Sequence, residues 1–313
     1  MANTIKKALI TGGNGNLGRL VADQLLAKNI EVVKFDIPGT EPEETQNGET
    51  IIIGDIRDKD QLRDILNTHQ PDTVYHLASL LSGSSEADLD AAWEINASAS
   101  YHLLRLAQEF KVRTFFFAST IATFGNDLAD PMPEDTQQWP ENIYGATKVA
   151  VERLGVYFKL KHGMDFRCLR FPLVFSPFAP PSAVTAYPSH AFRAACANES
   201  FTFPVSPGIG MSSMLLEDVI TGIIKFTEAD QSQLTRHVYS LHGYYVTARQ
   251  VAEEIQSRVP GFSYDFKPQP TVDALLDAWP NVITDQSARD DWGWSPEYDF
   301  KKSADQMMAF FGG

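Results

Sequence analysis

Along the first 171 residues, short unbroken apolar runs alternate with stretches in which apolar residues recur every three or four positions. Ala8-Leu9-Ile10 is the first run, and Leu17, Leu20, Val21, Leu25 and Leu26 follow at helical spacing. Ile30, Val32, Val33 and Phe35 form a second run that ends at Asp36. A third, Ile51-Ile52-Ile53-Gly54-Asp55, follows a polar loop over 38–49. The pattern then predicts a helix from about Asp58 to Asn67, a strand over 72–78 and a long helix from about Glu86 to Phe110. A strand over 114–119, a proline-rich excursion from Asp127 to Pro140, a helix from about Tyr144 to Lys161 and a strand from Phe166 to Phe171 complete the series. Apolar strands separated by amphipathic helices predict a parallel sheet covered on both faces. The fold class is α/β, a doubly wound parallel sheet with ligands at the carboxyl ends of its strands.

Past Pro172 the texture changes. Residues 172–213 are proline-rich and show no clear period beyond one helix near His190 to Asn198. Leu215 to Glu228 reads as a helix and Val238 to Leu241 as a strand, and helical patterns recur at Ala248–Arg258, Thr271–Ala278 and Ser287–Asp291. This predicts a Rossmann-type dinucleotide domain over 1–172, with 214–244 returning to it. A smaller, discontinuous C-terminal substrate lobe is expected from 173–213 and 245–313.

The first turn carries chemistry. Between the first run and its helix stand Gly12, Gly15 and Gly18, with Asn16 and Leu17 between the last two. Gly12 supplies a tight turn, Gly15 lets backbone approach a pyrophosphate, and Gly18 lets the helix pack closely on the strand. Free N–H groups and the helix dipole favour phosphate there. Asp36, ending the second run, stands where an acid meets ribose hydroxyls.

Composition narrows the partners. Apolar residues make up 43% and charged residues 21% of 313, an ordinary globular balance, and the net charge of −14 opposes nucleic acid or an anionic membrane as main partner. Lys6 and Lys7 precede too short an apolar run for a secretory signal, and no run reaches membrane-spanning length. A cytoplasmic protein acting on a small molecule is expected. Cys168 and Cys196 lie in apolar company and read as packed thiols, and the histidines show no metal-ligand spacing, so no metal is expected. His76 reads as a satisfied core histidine, the run Glu41, Glu43, Glu44 as a solvated loop, and Trp292 and Trp294 as packing around Gly293.

A second constellation is Tyr144-Gly145-Ala146-Thr147-Lys148. Four residues apart on a helix, Tyr144 and Lys148 share a face. A nearby ammonium and a positive nicotinamide favour phenolate, which makes Tyr144 a candidate general base. Ser119-Thr120 ends a strand, so a hydroxyl there can face the same site.

Together these residues resemble the extended short-chain dehydrogenase/reductase superfamily. The likeness lies in the glycine turn, Asp36, Asp55, His76-Leu77-Ala78, Asn96, Ser119-Thr120, Tyr144/Lys148 and Arg170-Phe171-Pro172, and it spans essentially the whole chain. Within it, His76 to Gly83, Ala92 to Asn96, Ser119 to Gly125, Tyr144 to Leu154 and Asp291-Trp292-Gly293-Trp294 are similar to the short-chain type of L-threonine 3-dehydrogenase. The substrate loop departs from that type, which is glycine-rich and runs into Thr-Thr-Asp-Tyr-Ala. Here Pro180 to Pro188 keeps Thr185 and Tyr187 without the glycines or the acid.

The resemblance implies NAD as cofactor, with Asp36 on the adenosine ribose, Asp55 and Ile56 flanking adenine, and Leu77, Ala78 and Ser79 along the pyrophosphate and nicotinamide. Asn96 joins that cofactor set. Lys148 would bond the nicotinamide ribose, and the segment Phe171 to Leu173 would hold its carboxamide. Thr120 would be the catalytic hydroxyl with Ser119 second, and Ser82 and Thr185 would hold substrate. The implied reaction is oxidation of a secondary alcohol, L-threonine at C3 giving 2-amino-3-oxobutanoate, with Tyr144 as base. The helices ending near Phe110 and starting near Tyr144 would form a homodimer. A sugar-nucleotide epimerase, dehydratase or reductase stands as the alternative, with Arg193 and Arg289 as its residual phosphate clamps.

Overall fold

β1 (Lys7–Thr11) sends Leu9 into one apolar cluster and Ile10 into another, as the two-residue period of a strand requires when both faces are covered. The computed structural model describes residues 3–40, 44–126, 128–181 and 183–312. Glu41, Glu43, Asp127 and Ser182 therefore lie outside the described residues, while Glu44 is exposed. After β1 come α1 (Asn16–Ala27), β2 (Glu31–Asp36), β3 (Glu49–Ile53), α2 (Lys59–His69) and β4 (Thr73–His76). Asp58 caps α2 by accepting from the Asp60 and Gln61 N–H groups. The chain continues through α3 (Ser82–Ala87), α4 (Leu89–Ala92), a π-helical segment (Trp93–Ala99) and α5 (Ser100–Glu109). Then follow β5 (Thr114–Thr120), α6 (Ile143–His162) and β6 (Asp165–Phe171).

The expected single helix from Glu86 to Phe110 is thus corrected. It breaks at Asp88, whose carboxylate caps α4 through the Ala91 N–H, and widens over Trp93–Ala99. The widened turn carries Asn96, whose side chain bonds the loop after β4 and Ser85 of α3. π-Segments of this kind often mark functional positions.

The second half holds β7 (Leu173–Phe175), α7 (Tyr187–Cys196), β8 (Phe201–Phe203), β9 (Gly210–Leu215) and α8 (Leu216–Glu228). It ends with β10 (Tyr239–Ser240), β11 (Tyr244–Thr247), α9 (Ala248–Arg258), β12 (Tyr264–Phe266), α10 (Pro270–Asp277), α11 (Gln286–Trp292) and α12 (Phe300–Gly312). Strands β7, β8, β9, β11 and β12 and helix α12 were not legible in the hydrophobic pattern.

Seven strands form one parallel sheet in the order β10-β6-β5-β4-β1-β2-β3. The order reverses between β1 and β4, so the crevice for a dinucleotide opens there. One face is packed by Val21, Leu25, Val219 and Ile223, the other by Leu62, Leu66, Leu103 and Phe158. β7 pairs parallel and β11 antiparallel with β9, and β8 pairs with β12. A third cluster around Phe175, Phe192, Phe203, Val246 and Ile255 fills the space behind these short strands. β7 follows β6 directly after Pro172, and the cavity lined by the end of β5, Pro172 and β7 is the candidate site.

Candidate active site

The glycine turn is built by backbone contacts that side chains would block. Gly12 has φ of +70°, and a Cβ there would stand 2.8 Å from the Ala78 N atom, so the turn packs directly on the end of β4. A Cβ on Gly18 would stand 2.1 Å from the Gly12 carbonyl oxygen, which is how close α1 comes to the turn. Gly15 caps α1 without a side chain, leaving the first N–H groups, from Asn16 and Leu17 onward, directed out of the helix end. The Asp36 carboxylate accepts from the Asn14 N–H and the Ile37 N–H, both at 2.8 Å, and is fixed beside the turn. The Asn14 Oδ1 atom is buried without a partner. Helix N–H groups that donate, with a held carboxylate and an orphaned amide oxygen that accept, form the polar set a dinucleotide requires, and NAD fits it.

Other expected cofactor residues divide into those on the crevice and those behind it. Leu77 and Ala78 are tied to β1 through the Thr11 carbonyl and hydroxyl. Asp55 is held by a two-pronged bond to Arg57, which keeps its carboxyl below the usual carboxylate range, and Ile56 is buried beside it. Asn96 is buried, and its amide braces the loop instead of facing the crevice. Its Oδ1 accepts from the Leu80 N–H and the Ser79 hydroxyl, and its Nδ2 donates to the Leu80 carbonyl and Ser85. His76 is a core histidine with both ring nitrogens bonded, to Thr11 and Ser100, and burial lowers its pKa to about 3.

α6 starts at the site because Asn142 caps it, accepting from the Gly145 N–H at 2.7 Å. Gly145 is required by approach: a Cβ would fall 2.0 Å from the Ala122 carbonyl oxygen, so a side chain would push the helix off the end of β5. Tyr144 and Lys148 share the face that results. The Lys148 Nζ donates to the Ala118 carbonyl at 2.9 Å and lies 4.7 Å from the Phe117 ring centroid and 5.5 Å from that of Tyr144. Burial brings Lys148 down to about 8 and pushes Tyr144 up to about 12. Burial thus dominates the Tyr144 phenol, and the phenolate was expected only from the ammonium and a positive nicotinamide acting together.

A cavity of about 640 Å³ opens on Tyr144. Thr120 and Tyr144 line it, with Ser82 from α3, Leu173 from β7, and Thr185 from the short helix before α7. Phe171 sits buried at the end of β6, paired in register with Thr120. Ser119 is corrected. Successive strand residues face opposite ways, and its hydroxyl bonds the Glu152 carboxylate at 2.5 Å on the far side of β5. There Glu152 also accepts two bonds from Arg170 and one from Gln138, a closed buried network that braces α6 against β6. The pattern gave no sign of Glu152, although its spacing of four from Lys148 follows the helix. Trp279, Val174 and Ala186 also line the cavity without having been assigned a role. Arg193 and Arg289 do not line it: Arg193 holds the Pro177 and Ala179 carbonyls, and Arg289 pairs with Asp285 at 2.7 Å. Asn16 turns its amide to the Phe178 carbonyl, joining the glycine turn to the segment that leads into the substrate loop.

Residues 8–241 match the profile of the NAD dependent epimerase/dehydratase family. The chain belongs to that family. Among its relatives is the mitochondrial L-threonine 3-dehydrogenase of Sus scrofa, 32% identical over 311 residues, which are 98% of this chain and 83% of the relative. The L-threonine dehydrogenase of Clostridium difficile superposes with a TM-score of 0.91 at 29% identity, covering 99% of this chain and 98% of that one. A monomeric L-threonine 3-dehydrogenase from a metagenome superposes at 0.90 with 28% identity over 97% and 98% of the two chains.

As a member of the epimerase/dehydratase family, the protein is an NAD-dependent dehydrogenase of the extended short-chain type. Its fold is the mostly parallel, Rossmann-like sheet of those relatives. Among the described residues no helix is long and apolar enough to cross a membrane, and no cluster of His, Cys, Asp and Glu could hold a metal.

Proposed function

We propose that this dehydrogenase oxidises a secondary alcohol in the cavity beside Tyr144, with that phenol as the general base. The observation that carries the reading is the meeting of three groups: the Tyr144 and Thr120 side chains on one cavity wall, and the Lys148 ammonium behind the Tyr144 ring. When bound, NAD supplies a positively charged hydride acceptor. Thr120 holds the alcohol oxygen, Tyr144 takes its proton, and Lys148 both bonds the nicotinamide ribose and favours the phenolate. Residues 1–172 and 214–244 hold the dinucleotide, while 173–213 and 245–313 form the substrate lobe. The relatives' name makes L-threonine, oxidised at C3 to 2-amino-3-oxobutanoate, the reference substrate with which other alcohols are compared. A sugar nucleotide needs cations for its diphosphate, and the residues described around the cavity include no Arg or Lys.

The test is NADH absorbance with purified protein, NAD and a panel of secondary alcohols. Tyr144→Phe should lower turnover by roughly 10²–10⁴ while NAD still binds. Near wild-type turnover in that variant would remove Tyr144 from the chemistry.

The proposal includes a homodimer. Leu89, Trp93, Tyr157 and Leu160 are half or more exposed, at 54%, 50%, 52% and 70%, on α4, the π-segment and α6. A second copy covering those apolar side chains accounts for their exposure.

A further inference from the structure

The polar side chains of the cavity are hydroxyls and the Trp279 indole. Ser82, Ser84, Thr120, Tyr144 and Thr185 supply the hydroxyls, and Leu81, Ile121, Leu173, Val174 and Trp279 are the large apolar residues of the remaining wall. None of the described lining side chains is a carboxylate, an ammonium, a guanidinium or an imidazole. The substrate loop, Pro180 to Pro188, has no carboxylate anywhere in its sequence. The acid on α3, Glu86, is turned away and holds the start of α6, accepting from the Ile143 N–H at 2.8 Å. Outside the lining, the Lys148 ammonium stands 5.5 Å from the centroid of the Tyr144 ring. A bound oxidised nicotinamide adds a second positive charge.

A substrate ammonium placed here meets a positive field and finds no carboxylate to pair with, and an unpaired buried ion is strongly disfavoured. Oxygen substituents meet the opposite situation. Hydroxyl and carboxylate oxygens accept from the serine and threonine hydroxyls, and a negative charge is favoured by Lys148. Resting on the dehydrogenase reading above, we infer that the substrate is a small hydroxy acid whose carbon next to the oxidised alcohol bears a hydroxyl or hydrogen where threonine bears its ammonium. In the reaction the alcohol carbon loses hydride to NAD, the hydroxyl proton goes to Tyr144, and the product is the corresponding oxo acid.

The test compares L-threonine with the 2,3-dihydroxybutanoate stereoisomers and with both 3-hydroxybutanoates. Turnover is read as NADH formation. Binding without turnover is read from tryptophan fluorescence with NADH bound, since Trp279 lies in the cavity wall. At least one hydroxy acid should exceed L-threonine by tenfold or more in kcat/KM, and bind correspondingly tighter. Ala186→Asp then places a carboxylate on the wall at the N-cap of α7, a position where Asp is favoured. A charge-assisted bond to an ammonium should shift the preference toward L-threonine by roughly tenfold or more. If L-threonine equals or exceeds every hydroxy acid in the wild type, the inference falls while the dehydrogenase reading stands. An unchanged preference in a folded Ala186→Asp variant also overturns it. If no alcohol reduces NAD, the dehydrogenase reading itself fails.

Discussion

Replacing Lys148 by methionine removes a buried charge while keeping an unbranched side chain in its place. Lys148 is 4% exposed, and burial lowers its pKa from the ordinary 10.5 to about 8. Below pH 8 both the folded and unfolded chains hold the proton, and the folded state bears the full cost of burying it. Between pH 8 and 10.5 the unfolded chain keeps a proton that the folded chain has released, so stability from this group rises with pH. Titrating both states from pH 7 to pH 10 makes the gain roughly 2–3 kcal/mol. Lys148→Met lacks the gain, and titrations of groups that do not interact with Lys148 cancel when the two proteins are compared. Urea unfolding of both at pH 7, 8, 9 and 10 reads the difference directly, with equal m-values as the check on two-state behaviour. The stability of the wild type relative to the variant should climb through that window. Parallel stability profiles would show that Lys148 titrates as an ordinary lysine, and the electrostatic account of the site would fail with it.

Two further outcomes are expected. Asp36→Ser should weaken NAD binding by roughly tenfold or more by removing a charged acceptor, and should narrow the preference over NADP, since a carboxylate repels a 2′-phosphate; equal wild-type dissociation constants for NAD and NADP would refute this. Sedimentation equilibrium should give twice the chain mass of 34.8 kDa, and Leu160→Glu should shift it toward the monomer; a wild-type monomer at micromolar concentration would refute the dimer.

The parts of the fold legible in the sequence are those where one physical requirement acts on many neighbouring residues. β1, β4, β5 and β6 are buried on both faces, so Ala8-Leu9-Ile10 or Phe115-Phe116-Phe117 reads as a strand without further help. β7, β8 and β12 are three residues each, too short for any period, and their pairing is decided by tertiary contacts such as Phe203 against Phe266. The break at Asp88 was hidden for another reason. The apolar residues keep helical spacing through Leu89, Trp93 and Leu103, and only the bonds of Asn96 to Leu80 show why the helix widens. Ser119 and Thr120 were both plausible hydroxyls in sequence. The alternation of β5 separates them, sending one to Glu152 and the other to the cavity.

The same contrast explains why the cofactor is easier to assign than the substrate. The redox half of the site depends on close backbone approach. Gly18 and Gly145 each stand where a Cβ would come within about 2 Å of a carbonyl oxygen, so few residue types can occupy them. Requirements of that kind leave glycines at fixed spacing, and they link this chain to dehydrogenases only about 30% identical to it. The substrate half is made of side chains from separate segments: Ser82 on α3, Val174 on β7, Thr185 before α7 and Trp279 after α10. No spacing connects them, and each can change without disturbing a backbone contact of the glycine turn. Substrate choice can therefore diverge while the dinucleotide crevice and the tyrosine–lysine face stay in place. The absence of any acid from Pro180 to Pro188 belongs to this half of the site, since residues of that segment line the cavity and none of them holds the redox groups. It follows that likeness over the whole chain can identify the cofactor and the reaction type, whereas the substrate has to be read from the wall of the cavity.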